Sequence, residues 1–136
     1  MLQIFFLSIA CNLIGGVTLA LDAIVKRVPR ASALADFLSN RRGKLWTGLS
    51  VILTGFIALF VPAQGGVLII GDLIPSVVGM IMGIALLFEV FRQDAIFPSE
   101  SSVKQDRPPV TYRTTLGILG IAVAVLHFFL PDRPFL

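Results

Sequence analysis

Four stretches of this sequence are apolar over the length that a helix needs to cross a lipid bilayer. The hydrocarbon core of a bilayer is about 30 Å thick and takes about 20 helical residues to cross. The four stretches are residues 2–21, 45–61, 73–91 and 114–130, and charged residues or Pro and Gly separate them. The sequence therefore predicts an all-α integral membrane protein, with residues 1–136 forming a single transmembrane domain of four helices.

The composition excludes a water-soluble fold. Apolar residues make up 56% of the 136 residues and charged residues 14%, whereas a soluble domain has about 25% charged residues. A chain this short cannot bury so many apolar side chains in one core, and the surplus would form an aggregation-prone surface. Lipid must therefore be the solvent for most of the chain.

The residues around Cys11 allow two interpretations, a site of lipid attachment or part of an ordinary helix. The segment Ser8-Ile9-Ala10-Cys11 loosely resembles a lipoprotein processing site. However, the apolar stretch before it is short, no basic residue precedes it, and there is no good cleavage site for a signal peptidase. We therefore expect a retained first helix in which Cys11 is a small buried residue, with lipidation as the alternative.

The basic residues predict how the chain is oriented. Ten of the eleven Lys and Arg lie in two loops, at residues 22–44 and 92–113. With four spans these loops share one side of the membrane, and the positive-inside rule makes that side cytoplasmic. The spans then form two out-in-out hairpins, with both termini and the short turn at 62–72 outside. This arrangement suits a bacterial inner membrane, and it explains the basic excess without nucleic acid as a partner.

The two hairpins resemble each other in sequence. Residues 12–22 align with 79–89, and residues 44–62 align with 113–131. Each helix has one matched glycine, and the glycine pairs are Gly16 with Gly83 and Gly48 with Gly117. The acid that ends the first helix of each hairpin also matches, as does the base that begins the second helix. These pairs are Asp22 with Glu89 and Lys44 with Arg113. The alignment predicts a parallel internal repeat about an axis along the membrane normal, a symmetry that some transporters use. Chance matching between apolar sequences is the alternative.

The two predicted cytoplasmic loops differ in character. Residues 32–40 begin with a plausible N-cap, Ser32, and place Leu34, Phe37 and Leu38 on one helical face. This pattern predicts a short helix in the membrane interface between spans one and two. Residues 97–109 are polar and rich in Pro, which predicts an extended, mobile connection, with partner docking as the alternative.

Ionisable residues in or near the spans are candidates for function because burying them in lipid is expensive. We expect Asp72 to cap the third helix, with Pro75 in its first turn. An ion or substrate contact and a subunit interface are the alternatives for Asp72. His127 lies about one turn from the outer end of span four, and we expect it at headgroup level. If His127 faces an Asp, it could instead relay protons or sense pH.

Polar residues also mark the ends and the middle of the predicted spans. Asp22 and Glu89 end spans one and three, while Lys44 and Arg113 open the spans that follow. Within each hairpin the acid and the base could pair and anchor the helix ends. Nearer the bilayer midplane, Asn12 is expected to form a hydrogen bond between helices.

Small residues line faces of the predicted spans. Gly79 and Gly83 form a GxxxG pattern, which lets two helix backbones approach closely. Gly16, Gly117 and Gly120 lie on similar faces. These residues predict close helix packing, but they do not indicate whether the partner helix belongs to this chain.

No sequence motif points to a catalytic, cofactor or metal site. The sequence has no phosphate-binding loop, HExxH or CxxC motif, and one Cys with one His cannot supply the four ligands of a structural zinc. We therefore expect a non-enzyme.

Three functional hypotheses remain open. The favoured hypothesis is a non-catalytic accessory or structural subunit of a larger membrane transport complex, with other membrane subunits or a second copy of this chain as partners. The alternative is a small oligomeric transporter or channel whose outer entrance lies near Asp72 and His127. A third is a scaffold that binds anionic lipid through Arg41, Arg42 and Lys44.

Overall fold

The structure is a computed structural model that describes residues 2–60, 73–94 and 110–130. Over these residues it contains only helices, which are α1 (Leu2–Arg27), a short 3-10 helix (Pro29–Ala31), α2 (Ser32–Ser39), α3 (Arg41–Phe60), α4 (Leu73–Asp94) and α5 (Val110–Phe129). Four of them, α1, α3, α4 and α5, are long and apolar enough to cross a membrane. The prediction of an all-α protein with four such helices is confirmed.

The spanning helices are longer than the apolar stretches that predicted them. Helix α1 continues to Arg27, where the apolar stretch ends at residue 21, and α3 begins at Arg41 instead of residue 45. Charged side chains can extend from a helix toward water along their aliphatic stems, so helical hydrogen bonding continues past the hydrocarbon. Apolar length therefore predicts the membrane-crossing part of each helix and not its ends.

Helix α2 lies close to the position predicted for the interfacial helix, but its start differs. Ser32 is the first residue of the helix and does not cap it, because a 3-10 turn comes directly before it. The backbone N–H of Ser32 donates to the carbonyl of Pro29 and closes that turn. Helix α2 packs on α1 and α3 with Leu38 buried, while Phe37 is 73% exposed.

Helices α1 and α4 form the centre of the bundle. Each contacts the other three spanning helices, whereas α3 and α5 lie on opposite flanks without touching each other through described residues. The most extensive interfaces join helices that are distant in sequence, α1 with α5 and α3 with α4. The buried side chains of Leu19, Met82 and Leu86 form the hydrophobic cluster between the two central helices.

Paired contacts at the two ends of each interface give the relative directions of the helices. In α1 and α5, Phe5 contacts His127 at one end and Asp22 contacts Arg113 at the other, so these helices are antiparallel. In α3 and α4, Lys44 pairs with Glu89 at one end of the interface and Gly55 closely approaches Ser76 at the other end. These helices are therefore also antiparallel.

Two glycine pairs bring the backbones of neighbouring spanning helices into direct contact. A Cβ added to Gly16 would lie 2.7 Å from the carbonyl oxygen of Gly117, and one added to Gly117 would lie 2.6 Å from that of Gly16. The corresponding distances between Gly48 and Gly83 are 3.1 and 2.7 Å. Gly83 of the GxxxG pattern thus packs against α3 of this same chain, and Gly79 packs against Asn12 of α1.

Candidate functional site

Four charged side chains, one from each spanning helix, form a continuous ion-pair network. The Nζ of Lys44 lies 3.1 Å from Oε2 of Glu89, and Nε of Arg113 lies 2.5 Å from Oε1 of the same Glu89. A guanidinium nitrogen of Arg113 also lies 3.1 Å from Oδ2 of Asp22. Glu89 therefore bridges two cations and Arg113 bridges two acids, so each charge is balanced by a neighbour.

The network is buried at one side and open at the other. The side chains of Lys44 and Glu89 are 9% and 14% exposed, whereas that of Asp22 is 51% exposed. Removing one member of a buried pair leaves an uncompensated charge, which is costly, while water screens an exposed pair. The stabilising part of the network is therefore centred on Glu89.

The pairing differs from the one expected within hairpins. Glu89 and Arg113 do pair, but Lys44 pairs with Glu89 and not with Asp22, whose partner is Arg113. The reason is the packing of the helices, since α3 lies mainly on α4 and α1 lies mainly on α5. Lys44, which the sequence grouped with Arg41 and Arg42 as a base for anionic lipid, is buried and paired with Glu89, unlike the two exposed arginines.

A buried polar cluster, consisting of Asn12, Thr54, Ser76 and the half-buried Cys11, lies away from the ion-pair network. The interhelical hydrogen bond expected of Asn12 is present, with Nδ2 donating to the carbonyl of Pro75 at 3.0 Å. The Thr54 hydroxyl donates to Sγ of Cys11 at 3.4 Å. Ser76 is fully buried, and its hydroxyl has no hydrogen-bond partner among the described residues. The cluster joins α1, α3 and α4.

His127 is completely buried, so its ring points into the bundle and not out to the lipid headgroups as expected. Its ring packs on Phe5 of α1 with the ring centroids 4.7 Å apart. His127 continues the face of α5 that carries Gly120 and Ala124, both buried toward the bundle, and that spacing could have revealed its position. Asp72 lies outside the described residues, as do its predicted cap and its pairing with His127.

A groove of about 360 Å³ opens between α4 and α5 at the end of the bundle that holds the ion-pair network. We call it the α4–α5 groove, and its lining residues are Ile81, Ile84, Ala85, Phe88, Glu89, Arg92, Tyr112 and Arg113. This groove could not be predicted from the sequence, because it results from the limited contact between two helices that are neighbours in sequence.

The remaining predicted residues lie on the surface or in helix contacts. Arg41 and Arg42 are exposed at the start of α3. Gly120 faces Met82 of α4, with the sulfur of that side chain closest. Among the described residues, no three His, Cys, Asp or Glu side chains lie close enough together to hold a metal ion.

Comparison with known proteins gives a family and no individual relative. Neither the curated proteins nor the solved structures contain a match to this chain. A family model for a domain of unknown function matches residues 1–127, and the chain belongs to that family.

Proposed function

We propose that this protein is a small non-catalytic membrane protein that serves as an accessory or structural subunit of a larger membrane complex, with transport as the activity of that complex. The observation that carries the proposal is the approach of Gly16 to Gly117 and of Gly48 to Gly83. At these points the helix backbones touch, so a solute has no room to pass between the two helices of either pair.

The distribution of polar groups supports the same proposal. The charged groups of the ion-pair network are balanced by one another across all four spanning helices. Balanced charges of this kind hold helices together and leave no net charge to attract a substrate. The network is therefore better suited to fixing the bundle than to binding a solute.

The outer surface is suited to contact with lipid and with other membrane helices. The exposed face of α3 carries bulky apolar side chains that include Leu53, Phe56 and Phe60. The glycines that let helices approach closely are used inside the bundle, so a partner subunit would contact side chains and not glycine grooves.

An internal repeat of two hairpins is part of the proposal. In the alignment of the two hairpins, Gly16 corresponds to Gly83 and Gly117 corresponds to Gly48. The contact of Gly16 with Gly117 therefore corresponds to the contact of Gly83 with Gly48. In the same way, the ion pair of Asp22 with Arg113 corresponds to the ion pair of Glu89 with Lys44. Chance similarity between apolar sequences would not produce matching contacts, so these correspondences support a duplicated hairpin.

A bacterial inner membrane with both termini outside is the location we propose. The charge distribution supports it, because ten of the eleven Lys and Arg lie in the two loops that share one side. The ion-pair network then lies toward the cytoplasm, and His127 lies toward the outside.

A small oligomeric transporter or channel is the second candidate. It is supported by the matching contacts of the two hairpins, since parallel repeats occur in transporters, and by the buried polar cluster. His127, buried against Phe5 near the expected outer end of α5, would line the entrance together with Asp72.

Purification from native membranes in mild detergent distinguishes the two candidates. An accessory subunit is expected to retain a membrane protein in fixed stoichiometry through two affinity steps, and a tag on that protein should recover this chain in return. A lone monomer that retains nothing would end the proposal. For the transporter, flux into proteoliposomes should fall with Asp72→Asn and with His127→Phe. Flux equal to that of the unsubstituted protein would exclude those residues.

A further inference from the structure

Helix α2 has an apolar face and a polar face. Leu34, Phe37 and Leu38 share one side of the helix, because Phe37 and Leu38 follow Leu34 by three and four residues. Polar residues lie on the opposite side, and they are Ser32, Asp36 and Ser39. Leu38 is buried where α2 packs on α1 and α3, whereas Leu34 is 48% exposed and Phe37 is 73% exposed. The packing of α2 on the bundle therefore leaves two of its three apolar side chains exposed.

The contact of α2 with α3 determines its depth along the bundle. A Cβ added to Gly43 would lie 2.5 Å from the carbonyl oxygen of Phe37 and 3.1 Å from that of Leu38, so the last turn of α2 rests on the start of α3. Trp46 follows about 4.5 Å farther along α3 and is 65% exposed. Trp side chains favour the interface between a membrane and water. When the spans cross a bilayer, this contact therefore puts α2 at the depth of the lipid headgroups.

The segment that contains α2 is strongly basic. Residues 26–42 include five Lys and Arg and one acid, Asp36. The exposed bases of this segment include Lys26, Arg27, Arg30 and Arg42. Lys44 does not add to this surface charge, because it is buried and paired with Glu89. Basic segments at headgroup depth attract anionic lipids.

We propose that α2 is an in-plane anchor that inserts Leu34 and Phe37 into an anionic lipid leaflet, with the surrounding bases at the lipid phosphates. An apolar face opposite a polar face, together with flanking bases, is typical of helices that lie in a membrane interface. Leu38 fixes α2 to the bundle, and Phe37 reaches the lipid beside it. The occupant is a lipid leaflet and not an acidic protein segment, because Gly43 holds α2 within one helical turn of Trp46. The proposal requires only that the spans cross a bilayer and does not depend on a partner subunit or on transport.

Spin labels on the full chain test the insertion of the apolar face. In a Cys11→Ser background, Phe37→Cys and Ser39→Cys each carry one nitroxide, and the protein is reconstituted in phosphatidylglycerol vesicles. Oxygen concentrates in the acyl region, whereas a neutral nickel chelate, present on both sides of the vesicles, stays in water. We expect residue 37 to collide severalfold more with oxygen, relative to the chelate, than residue 39 does. Ser39 is the matched control because it is exposed on the polar face two residues away. Equal ratios at the two positions, or a higher ratio at residue 39, would overturn the insertion of α2.

The fluorescence of Trp46 tests the attraction of anionic lipid. Trp46 is the only Trp of the chain and lies one helical turn after Arg42, so lipids brominated in their acyl chains quench it when they lie beside α2. In vesicles with equal amounts of phosphatidylglycerol and phosphatidylcholine, brominated phosphatidylglycerol should quench Trp46 more strongly than brominated phosphatidylcholine.

Two substitutions of Arg42 separate charge from shape. We expect Arg42→Gln to reduce the preference for phosphatidylglycerol about fivefold, the factor expected for one base near the headgroups. Arg42→Lys, which keeps the charge, should retain most of the preference. Equal quenching by the two lipids in the unsubstituted protein, or an equal loss of preference in the Gln and Lys variants, would contradict a charge-dependent lipid surface.

Discussion

Gly16 and Gly117, from the first and the last spanning helix, face each other so closely that neither has room for a methyl group. Gly117→Ala places its Cβ 2.6 Å from the carbonyl oxygen of Gly16, so α1 and α5 must move apart. We expect it to lower the free energy of unfolding by about 1–3 kcal/mol, as other overpacked substitutions do. Denaturation in detergent, followed by circular dichroism, measures this change.

The second glycine pair provides a graded comparison. A Cβ on Gly48 would lie 3.1 Å from the carbonyl of Gly83, so Gly48→Ala should cost less than Gly117→Ala. Ala122→Val on the exposed face of α5 is the control and should have little effect. An effect of Ala122→Val as large as that of Gly117→Ala would contradict the close approach of α1 and α5.

Glu89→Gln is expected to weaken the bundle more than Asp22→Asn. Glu89 contacts both Lys44 and Arg113, and its loss leaves the buried Lys44 without a counter-charge. We expect a loss of about 2 kcal/mol for Glu89→Gln. For the half-exposed Asp22 we expect less than about 1 kcal/mol. The same denaturation assay compares the two, and equal losses would show that burial does not control the strength of the network.

Removing both members of the buried pair should cost less than the two single substitutions together. Lys44→Met alone leaves Glu89 with Arg113 as its only described partner, and Glu89→Gln alone leaves Lys44 buried and charged. The double variant has neither penalty. A double-mutant cycle gives the coupling free energy, and strict additivity would mean that the 3.1 Å contact contributes nothing.

Asn12 and Gly79 should be energetically coupled. A Cβ on Gly79 would lie 2.5 Å from Oδ1 of Asn12, so Gly79→Ala displaces the amide that donates to Pro75. We expect Asn12→Ala to cost about 1 kcal/mol through its interhelical hydrogen bond. In the Asn12→Ala background, Gly79→Ala should cost less than it does alone. An unchanged cost would show that the amide does not fill the space beside Gly79.

Labelling of single cysteines checks the proposed orientation. In a Cys11→Ser background, Leu130→Cys should react with an impermeant thiol reagent in intact cells. Arg30→Cys, which lies at the basic end of the bundle, should react only after permeabilisation, because the positive-inside rule places this end in the cytoplasm. The opposite pattern would reverse the orientation. It would also place the α4–α5 groove in the outer leaflet.

The number of spanning helices could be predicted from sequence, because apolar length alone decides what can cross a bilayer. The partners of each helix could not be predicted so simply. Proximity in the chain favours pairing within hairpins, and this gave the wrong partner for Lys44. The glycines indicated the true helix partners. Gly16 and Gly83 are aligned with each other, as are Gly48 and Gly117, and each glycine of the first pair contacts a glycine of the second.

His127 shows a second limit of prediction from sequence. Its distance from the end of α5 suggested the headgroup region, but depth along a helix does not decide which way a side chain points. Gly120, Ala124 and His127 recur at helical spacing, and this face is buried against α1 and α4. Reading His127 as part of that face, and not by its depth alone, would have placed it inside the bundle.

The extensive interface between α1 and α5 has a consequence for biosynthesis. The first span leaves the ribosome long before the last, and Asp22 gains its partner Arg113 only when α5 has been made. Until then the α5-facing side of α1 remains open to lipid or to insertion factors. The chain should therefore be most vulnerable to membrane proteases before α5 has been made and has closed the bundle.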